Sequence, residues 1–157
     1  MRLSDLMQGI RCECLQGDMD REISTLVYDS RKIEKDSVFV CICGAVSDGH
    51  DYVAQAAEKG AAAVVVQKDV AVDGSVAVIR TEDTRLALAE MSAAYFGHPA
   101  RELTTIGITG TKGKTTATYM VRSILEHSGY KTGLIGTIEM IIGDETIPQP
   151  IRRRNPM

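Results

Sequence analysis

Residues 106–116 have the sequence Ile106-Gly107-Ile108-Thr109-Gly110-Thr111-Lys112-Gly113-Lys114-Thr115-Thr116. The apolar residues that lead into this stretch predict a strand over residues 103–109, and the residues that follow predict a helix over residues 114–128. A glycine-containing loop between a strand and a helix lets several backbone N–H groups converge, and the helix N-terminus adds the positive end of a dipole. The stretch is therefore typical of a loop that binds the phosphates of a nucleotide.

This loop has a shortened form of the common phosphate-binding motif. It reads G-x-x-G-K-T from Gly110, because Ile108 stands where the longer G-x-x-x-x-G-K-[ST] motif has its first glycine. We expect Lys114, the predicted catalytic residue, to reach the β- and γ-phosphates, and the hydroxyl of Thr115 to bind Mg²⁺. The alternative is a glycine-rich turn with a solvated lysine, followed by ordinary helix residues. The predicted nucleotide-binding residues are Gly110, Thr111, Lys112, Gly113, Lys114, Thr115 and Thr116.

Strands alternate with helices over the rest of the chain. β-Branched and apolar runs predict strands over residues 23–28, 38–43, 61–66, 75–79 and 131–138, and a hairpin turns at Gly143 and Asp144. Helices are predicted over residues 3–7, 52–59 and 83–96, the first with Ser4 or Asp5 as its cap. The helix over residues 83–96 has an apolar face at helical spacing, formed by Leu86, Ala89, Ala93 and Phe96. This order predicts an α/β fold with largely parallel sheets.

Composition limits the classes of function. The 157 residues allow one domain or one domain and part of another, and Pro99 after His98 marks a joint because proline cannot continue a helix. With 18 basic and 21 acidic side chains, a net charge of −3 and 4% aromatic residues, we expect no nucleic-acid partner. No run approaches the about 20 apolar residues of a membrane span, and the N-terminus lacks a signal sequence, so we expect a cytoplasmic protein without a membrane partner.

The four cysteines form two Cys-x-Cys pairs, Cys12 with Cys14 and Cys41 with Cys43. Neither pair has the spacing of a zinc site. Because the second pair lies in an apolar run, we expect both of its thiols to be buried on a strand as small hydrophobic groups in a reducing compartment.

Several motifs in order resemble the Mur ligases, the ATP-dependent enzymes that add amino acids to the peptidoglycan precursor, and among them the MurE type. The resemblance covers residues 1 to about 148. It rests on the phosphate loop and on Asp29-Ser30-Arg31, Val38-Phe39-Val40 before Gly44, Asp48-Gly49-His50-Asp51-Tyr52 and Lys131-Thr132-Gly133-Leu134-Ile135-Gly136-Thr137-Ile138.

The resemblance implies an N-terminal UDP-binding α/β domain over residues 1–98 and the incomplete start of a P-loop, parallel-sheet ATP domain over residues 99–148. Residues 110–116 would hold ATP, with Thr115 on Mg²⁺. Ser30 would hydrogen-bond the UDP part of UDP-MurNAc-L-Ala-D-Glu with Tyr28 beside it, and the loop Ala45, Val46 and Ser47 would contact the nucleotide through its backbone. A monomer would add a diamino acid, L-lysine or meso-diaminopimelate, through an acyl-phosphate.

Three further residues have simpler interpretations. Asp48 is equally good as a helix cap, His50 as an exposed residue of the first turn, and Glu139 as a surface position of the hairpin instead of a residue near Mg²⁺. The alternatives for the whole chain are a non-catalytic nucleotide-binding module and a MurF-type or folylpolyglutamate synthetase-like ligase.

The end of the chain departs from the family pattern. Residues 149–157 contain Arg152-Arg153-Arg154 where the family has Asn-Thr-Thr-Pro, and few residues follow the phosphate loop. One choice of synonymous codons, read one base earlier, restores Asn-Thr-Thr-Pro-Glu-Ser-Tyr. A frameshift near Gln149 is therefore our hypothesis for an aberrant tail, and we expect the chain alone to be inactive.

Overall fold

The structure, a computed structural model, describes residues 1–72 and 74–148. It divides into two compact units, of which the first is Met1–Thr104 and the second begins at Thr105. The predicted aberrant tail, residues 149–157, lies outside the described residues. Within the described ranges, no helix has both the length and the apolar character that a membrane span needs.

The first unit contains a five-stranded sheet with the order β1-β5-β4-β3-β2. Four strands run parallel, and β1 pairs with β5 in the antiparallel direction with an irregularity between Cys14 and Gln16. Strand β1 was not expected, because its sequence Cys-Glu-Cys-Leu-Gln contains no β-branched residue. The strands are β1 Cys12–Gln16, β2 Leu26–Val27, β3 Val38–Val40, β4 Ala63–Val66 and β5 Ala77–Thr81.

Three α-helices cover this sheet: α1 Leu3–Leu6, α2 Val53–Glu58 and α3 Thr84–Tyr95. Short 3-10 helices occur at Ser30–Lys32, Gly49–Tyr52 and Pro99–Arg101. Because successive strand residues point to opposite faces of the sheet, the side chains of the apolar strands contribute to two separate hydrophobic cores. One core packs Val38, Val40, Ala63, Val65, Ala77 and Ile79 with α1 and α3, and the other packs Phe39, Val64, Val66 and Val78 with α2. All four residues of β4 are buried, as the absence of polar alternation predicted.

The predicted apolar face of α3 is wrong. Leu86 is 57% exposed and Phe96 is 72% exposed, whereas Ala87 and Met91 are buried. The buried pair lies one turn apart and packs with Leu88, Ala94 and Tyr95 against the core. Both stripes fit a 3.6-residue period, so periodicity alone could not choose between them.

The first helix begins at Leu3, so both of its predicted caps, Ser4 and Asp5, lie inside it. Its N-cap is Arg2, and the carboxylate of Asp5 accepts a hydrogen bond from the Arg2 N–H at 3.3 Å.

The second unit contains α4 Lys114–His127 and three strands, β6 Gly133–Ile135, β7 Glu139–Ile142 and β8 Glu145–Pro148. They form an antiparallel sheet with the order β6-β7-β8, which includes the predicted hairpin at Gly143 and Asp144. The parallel sheet predicted for this part of the chain is therefore wrong for the described residues, because connections this short can join only antiparallel strands. The predicted strand over residues 103–109 is wrong. Its residues form no strand, and Leu103 and Ile106 are 65% and 55% exposed. A strand requires a hydrogen-bonded neighbour, and the sheets among the described residues provide none for this segment.

Candidate functional site

The predicted phosphate loop connects the unpaired segment to α4. Gly113 is the N-cap of α4 and has a φ of 77°, in the left-handed region that a residue with a Cβ seldom adopts. Lys114 is the first residue of the helix, and its ammonium nitrogen donates a hydrogen bond to the carbonyl oxygen of Gly110 at 2.6 Å. The side chain therefore folds back over the loop that precedes it.

This geometry suits an anionic ligand. The first backbone N–H groups of an α-helix have no partner within the helix, and the dipole favours negative charge there. Residues 109–116 are all exposed, so the amides of the loop, the Lys114 ammonium and the hydroxyls of Thr115 and Thr116 are accessible to a ligand. These donors fit the phosphates of ATP, and the Thr115 hydroxyl is the type of oxygen ligand that Mg²⁺ takes.

Contacts with the sheet fix α4 further along its length. The hydroxyl of Tyr119 donates a hydrogen bond to the carboxylate of Glu139 on β7, and this bond raises the pKa of Tyr119. Glu139 lies on the hairpin, as expected, but it is half-buried. At the other end of α4, the Thr132 hydroxyl and the Arg122 guanidinium donate hydrogen bonds to the carboxylate of Glu126. Both bonds lower the pKa of Glu126, and the bond from Thr132 has the larger effect.

The predicted UDP-binding residues lie at one edge of the first sheet. Tyr28 and Ser30 follow β2, and residues 45–47 follow β3. Because β2 and β3 pair in parallel, both segments leave the sheet at its carboxyl edge, the side at which the C-terminal ends of the parallel strands lie. Open α/β sheets bind their ligands there. Tyr28 is 66% exposed and Val46 is fully exposed. The structure thus brings the two sequence-distant segments to the same edge.

The backbone of Ser30 is held on both sides. Asp29 caps the 3-10 helix by accepting a hydrogen bond from the Arg31 N–H at 3.0 Å, and its carboxylate also accepts from the Arg31 guanidinium at 2.7 and 2.9 Å. The hydrogen bonds from the Arg31 side chain, with a smaller effect of the Arg31 backbone N–H, lower the pKa of Asp29 to about 2. From α2, the ammonium of Lys59 donates to the Ser30 carbonyl at 3.1 Å.

A polar network after β3 contains residues that were not assigned to the site. Asp48 caps its 3-10 helix, which confirms one interpretation of it, and also accepts from Lys68 Nζ at 2.6 Å and Cys43 Sγ at 3.2 Å. The expected exposure of His50 is wrong, because only 6% of its side chain is exposed. Its Nδ1 lies 2.5 Å from Asp48 Oδ1, and its Nε2 accepts from the backbone N–H of Gln67 at 3.0 Å.

The second cysteine pair differs from its prediction. Strand β3 ends at Val40, so Cys41 is buried, as expected, but Cys43 is exposed in the loop that follows. Burial, with a smaller effect of Asp48, raises the pKa of the Cys41 thiol to about 12. Cys43 instead joins the polar network.

Cys43, Asp48 and His50 lie close enough to resemble a metal site, with ligand atoms within 4.8 Å of one another. Their hydrogen bonds argue against a metal ion. Because His50 Nε2 accepts the N–H of Gln67, Nδ1 carries the imidazole proton and has no lone pair to offer. The Lys68 ammonium also occupies the carboxylate of Asp48. The three residues are therefore a hydrogen-bonded network.

This network makes the stability of the protein depend on pH. The hydrogen bond from Lys68 holds the pKa of Asp48 well below its usual range, and the hydrogen bonds from the backbone N–H and the imidazole of His50 add smaller effects. A lowered carboxyl pKa stabilises the folded state fully above the unfolded value of about 4, and the contribution is lost as the pH falls towards the folded pKa. We expect the Tm of the wild type to fall more steeply between about pH 5 and pH 2 than the Tm of Asp48→Asn. Thermal unfolding across that range tests this, and equal slopes would contradict it.

Comparison with known proteins identifies both units. Residues 22–96 match the family described as "Mur ligase family, catalytic domain", and residues 108–155 match the "Mur ligase middle domain". The chain is 45% identical to the UDP-N-acetylmuramoyl-L-alanyl-D-glutamate--2,6-diaminopimelate ligase of Clostridium perfringens and 47% identical to a Clostridium acetobutylicum protein of that name. Each alignment covers 94% of this chain and 30% of the relative, so the chain spans about a third of the length of these relatives.

Solved structures agree. The structure resembles a solved UDP-N-acetylmuramoyl-L-alanyl-D-glutamate--2,6-diaminopimelate ligase with a TM-score of 0.70 and 21% identity, over 94% of this chain and 30% of that one. It also resembles MurF from Acinetobacter baumannii with a TM-score of 0.62 and 31% identity, over 80% of this chain and 27% of that one. The predicted α/β fold and the predicted family are both confirmed, and the chain belongs to the Mur ligase family.

Proposed function

We propose that this chain carries the UDP-substrate-binding part and the phosphate loop of a MurE-type ligase. Such an enzyme joins a diamino acid to UDP-MurNAc-L-Ala-D-Glu in peptidoglycan synthesis, and so contributes to cell shape and division. The observation that supports the proposal is that Ser30 and residues 45–47 follow the parallel neighbouring strands β2 and β3 and so lie at the same end of the sheet, beyond the carboxyl ends of its strands. The names of the relatives that are 45% and 47% identical favour the MurE type, with 2,6-diaminopimelate as the amino acid.

In this proposal, the first unit binds the uridine nucleotide. The hydroxyl of Ser30 would hydrogen-bond the nucleotide, and the exposed ring of Tyr28 would lie beside it. Ala45, Val46 and Ser47 would contribute backbone N–H and C=O groups, which accounts for the full exposure of the Val46 side chain. The contacts of Asp29 and Lys59 keep the Ser30 backbone in place before the ligand arrives.

The phosphate loop would bind ATP. Residues 110–113 would supply backbone N–H groups, Lys114 would neutralise charge on the β- and γ-phosphates, and the hydroxyl of Thr115 would bind Mg²⁺. When bound, ATP supplies the phosphoryl group that activates the carboxylate of D-Glu for attack by the amine. We propose further that the domain joint lies at residues 98–99 and that the protein acts as a cytoplasmic monomer.

Replacing Ser30 by alanine tests the substrate assignment. We expect the affinity for UDP-MurNAc-L-Ala-D-Glu to fall about tenfold, because one hydrogen bond to a charged or polar ligand group is lost. Isothermal titration calorimetry on the full chain measures it. Ser123→Ala, on an exposed position of α4, is the control and should bind like the wild type. Equal affinity of Ser30→Ala and the wild type would contradict the role of Ser30.

The second candidate is a non-catalytic nucleotide-binding module. The exposed, unpaired residues 103–107 before the phosphate loop favour it, because this segment does not hold the loop in a sheet. Binding of UDP-MurNAc-L-Ala-D-Glu distinguishes the two candidates, since only the ligase proposal requires an affinity for this peptide-bearing substrate that depends on Ser30.

A further inference from the structure

We propose that His50 is a positioning residue that holds the loop of residues 44–47 at the carboxyl edge of the sheet. It would do this by connecting Asp48, at the end of the loop, to the backbone of Gln67, directly after β4. Hydrogen bonds within the protein support this positioning. Its consequence for nucleotide binding rests on the proposed function.

The imidazole is a two-ended connection. Its Nε2 accepts the Gln67 N–H at 3.0 Å, so the proton must be on Nδ1, which donates to Asp48 at 2.5 Å. The side chain is 6% exposed, and Gln67 follows the last residue of β4, whose four residues are all buried. The carboxylate of Asp48 is thereby tied to a rigid strand and not only to its own turn.

Asp48 in turn closes the loop. It forms an isolated β-bridge with Cys43, its carboxylate accepts from the Cys43 thiol, and the Gly44 N–H donates to the Ser47 carbonyl at 2.9 Å. On the other side of the loop, the guanidinium of Arg85 donates to the Cys43 carbonyl at 2.7 Å. The loop is thus tethered to the chain after β4 through His50 and to the start of α3 through Arg85.

Burial separates the role of His50 from that of a ligand contact. With 6% of its side chain exposed and both ring nitrogens engaged, the imidazole offers nothing to a nucleotide. Residues 44–47 are all exposed and free to bind one. An effect of His50 on nucleotide affinity must therefore pass through the loop.

Two variants cut the connection at different ends. In His50→Asn, the side-chain amide lies near the position of Nδ1 and can still donate to Asp48, but the Gln67 N–H loses its acceptor. In His50→Gln, the amide oxygen can accept from Gln67, but the donor to Asp48 is displaced. The control is His98→Asn, the same replacement at a residue with a φ of 55°, which asparagine tolerates well.

Hydrogen exchange on the full chain tests the positioning directly. We expect amide exchange of residues 43–48 to accelerate about tenfold in His50→Asn and His50→Gln, because each variant loses one hydrogen bond of the connection. Exchange should remain unchanged in His98→Asn. UDP affinity, measured by calorimetry, should fall about three- to tenfold in the two His50 variants, again the range of one hydrogen bond. Wild-type exchange at residues 43–48 in either His50 variant would overturn the proposal.

A pH profile distinguishes the connection from simple space filling. Protonation of the imidazole would place an N–H against the Gln67 N–H. The ratio of the measured exchange rate to the intrinsic rate at residues 43–48 of the wild type should therefore rise on acidification, and this ratio removes the fall of the intrinsic rate itself with pH. The titratable or charged groups at this place are Asp48, Lys68, Cys43 and, through the Cys43 carbonyl, Arg85. All four remain in His50→Gln, in which the rise should be lost. The same pH response in His50→Gln would show that another group causes it and would count against the proposal.

The two proposals can fail separately. If the wild type has no affinity for UDP while both His50 variants accelerate exchange, the nucleotide assignment is wrong and the positioning of the loop stands. If UDP binds to the wild type and to both variants alike and exchange is unchanged, the positioning is wrong and the nucleotide assignment stands.

Discussion

Replacing Lys114 by methionine should weaken the binding of ATP by about 10- to 100-fold. Methionine has a similar length but no charge, so the loop would lose the ammonium that now donates to the Gly110 carbonyl and that would turn to the phosphates. Hydrogen bonds that involve a charged group contribute about 1.5–3 kcal/mol, and each 1.4 kcal/mol changes an affinity about tenfold. Calorimetric titration of the full chain with ATP and Mg²⁺ measures the loss.

Lys112→Asn is the matched control for this experiment. It removes one positive charge from the same exposed loop. Its affinity for ATP should stay within about threefold of the wild type, because an exposed charge is screened by salt and the backbone N–H of residue 112, the group proposed to bind phosphate, is kept. An equal loss in both variants would mean that the loop attracts ATP by its net charge alone, and the specific role of Lys114 would then be wrong.

Replacing Gly17 by alanine should destabilise the first unit by about 3 kcal/mol or more. Gly17 directly follows strand β1 and has a φ of 90°, and an added Cβ would lie 2.6 Å from Cα and 2.8 Å from Cβ of Ala77 on β5. The left-handed conformation costs a residue with a Cβ about 1–2 kcal/mol, and overpacking against backbone adds about 1–3 kcal/mol. We expect a fall in Tm of more than about 10 °C, measured by calorimetry of the full chain.

Gly9 provides a control with the same backbone conformation. Its φ is 84°, and an added Cβ would meet no atom within 4 Å. Gly9→Ala should therefore show only the conformational cost, about 1–2 kcal/mol. The difference between the two variants isolates the contact with Ala77, and equal destabilisation would show that β5 moves away without cost.

The sequence predicts the centre of the first unit better than its edges. Strands β3 and β4 and the first three residues of β5 are apolar and buried, so a pattern of side chains is enough to find them. Strand β1 lies at an edge with mostly exposed residues, and its pairing with β5 depends on residues far away in the chain. The predicted strand over residues 103–109 failed for the opposite reason, because apolar residues form a strand only where another strand pairs with them.

The same contrast applies to the candidate site. The loop from Gly110 to Thr116 and the segment around Ser30 could be named from short motifs, and their roles remain proposals. Lys68 was missed because it reaches Asp48 from 20 residues away. The exposure of His50 was predicted wrongly because its position in the first turn of a helix does not reveal that the chain directly after β4 contacts its imidazole. The spacing of Asp48 and His50, typical of an aspartate that caps a turn, was the one local signal available.

The two edges of the first sheet have a consequence for encounters between copies of this chain. At one edge, β2 contains only two residues, and at the other, β1 runs antiparallel, has an irregularity after Cys14 and carries Glu13 in an ion pair with Arg80. Short strands, bulges and charged side chains all hinder the addition of a foreign strand. The edges that an open parallel sheet must expose are therefore poor templates for self-association, which protects the first unit from growing into β-aggregates.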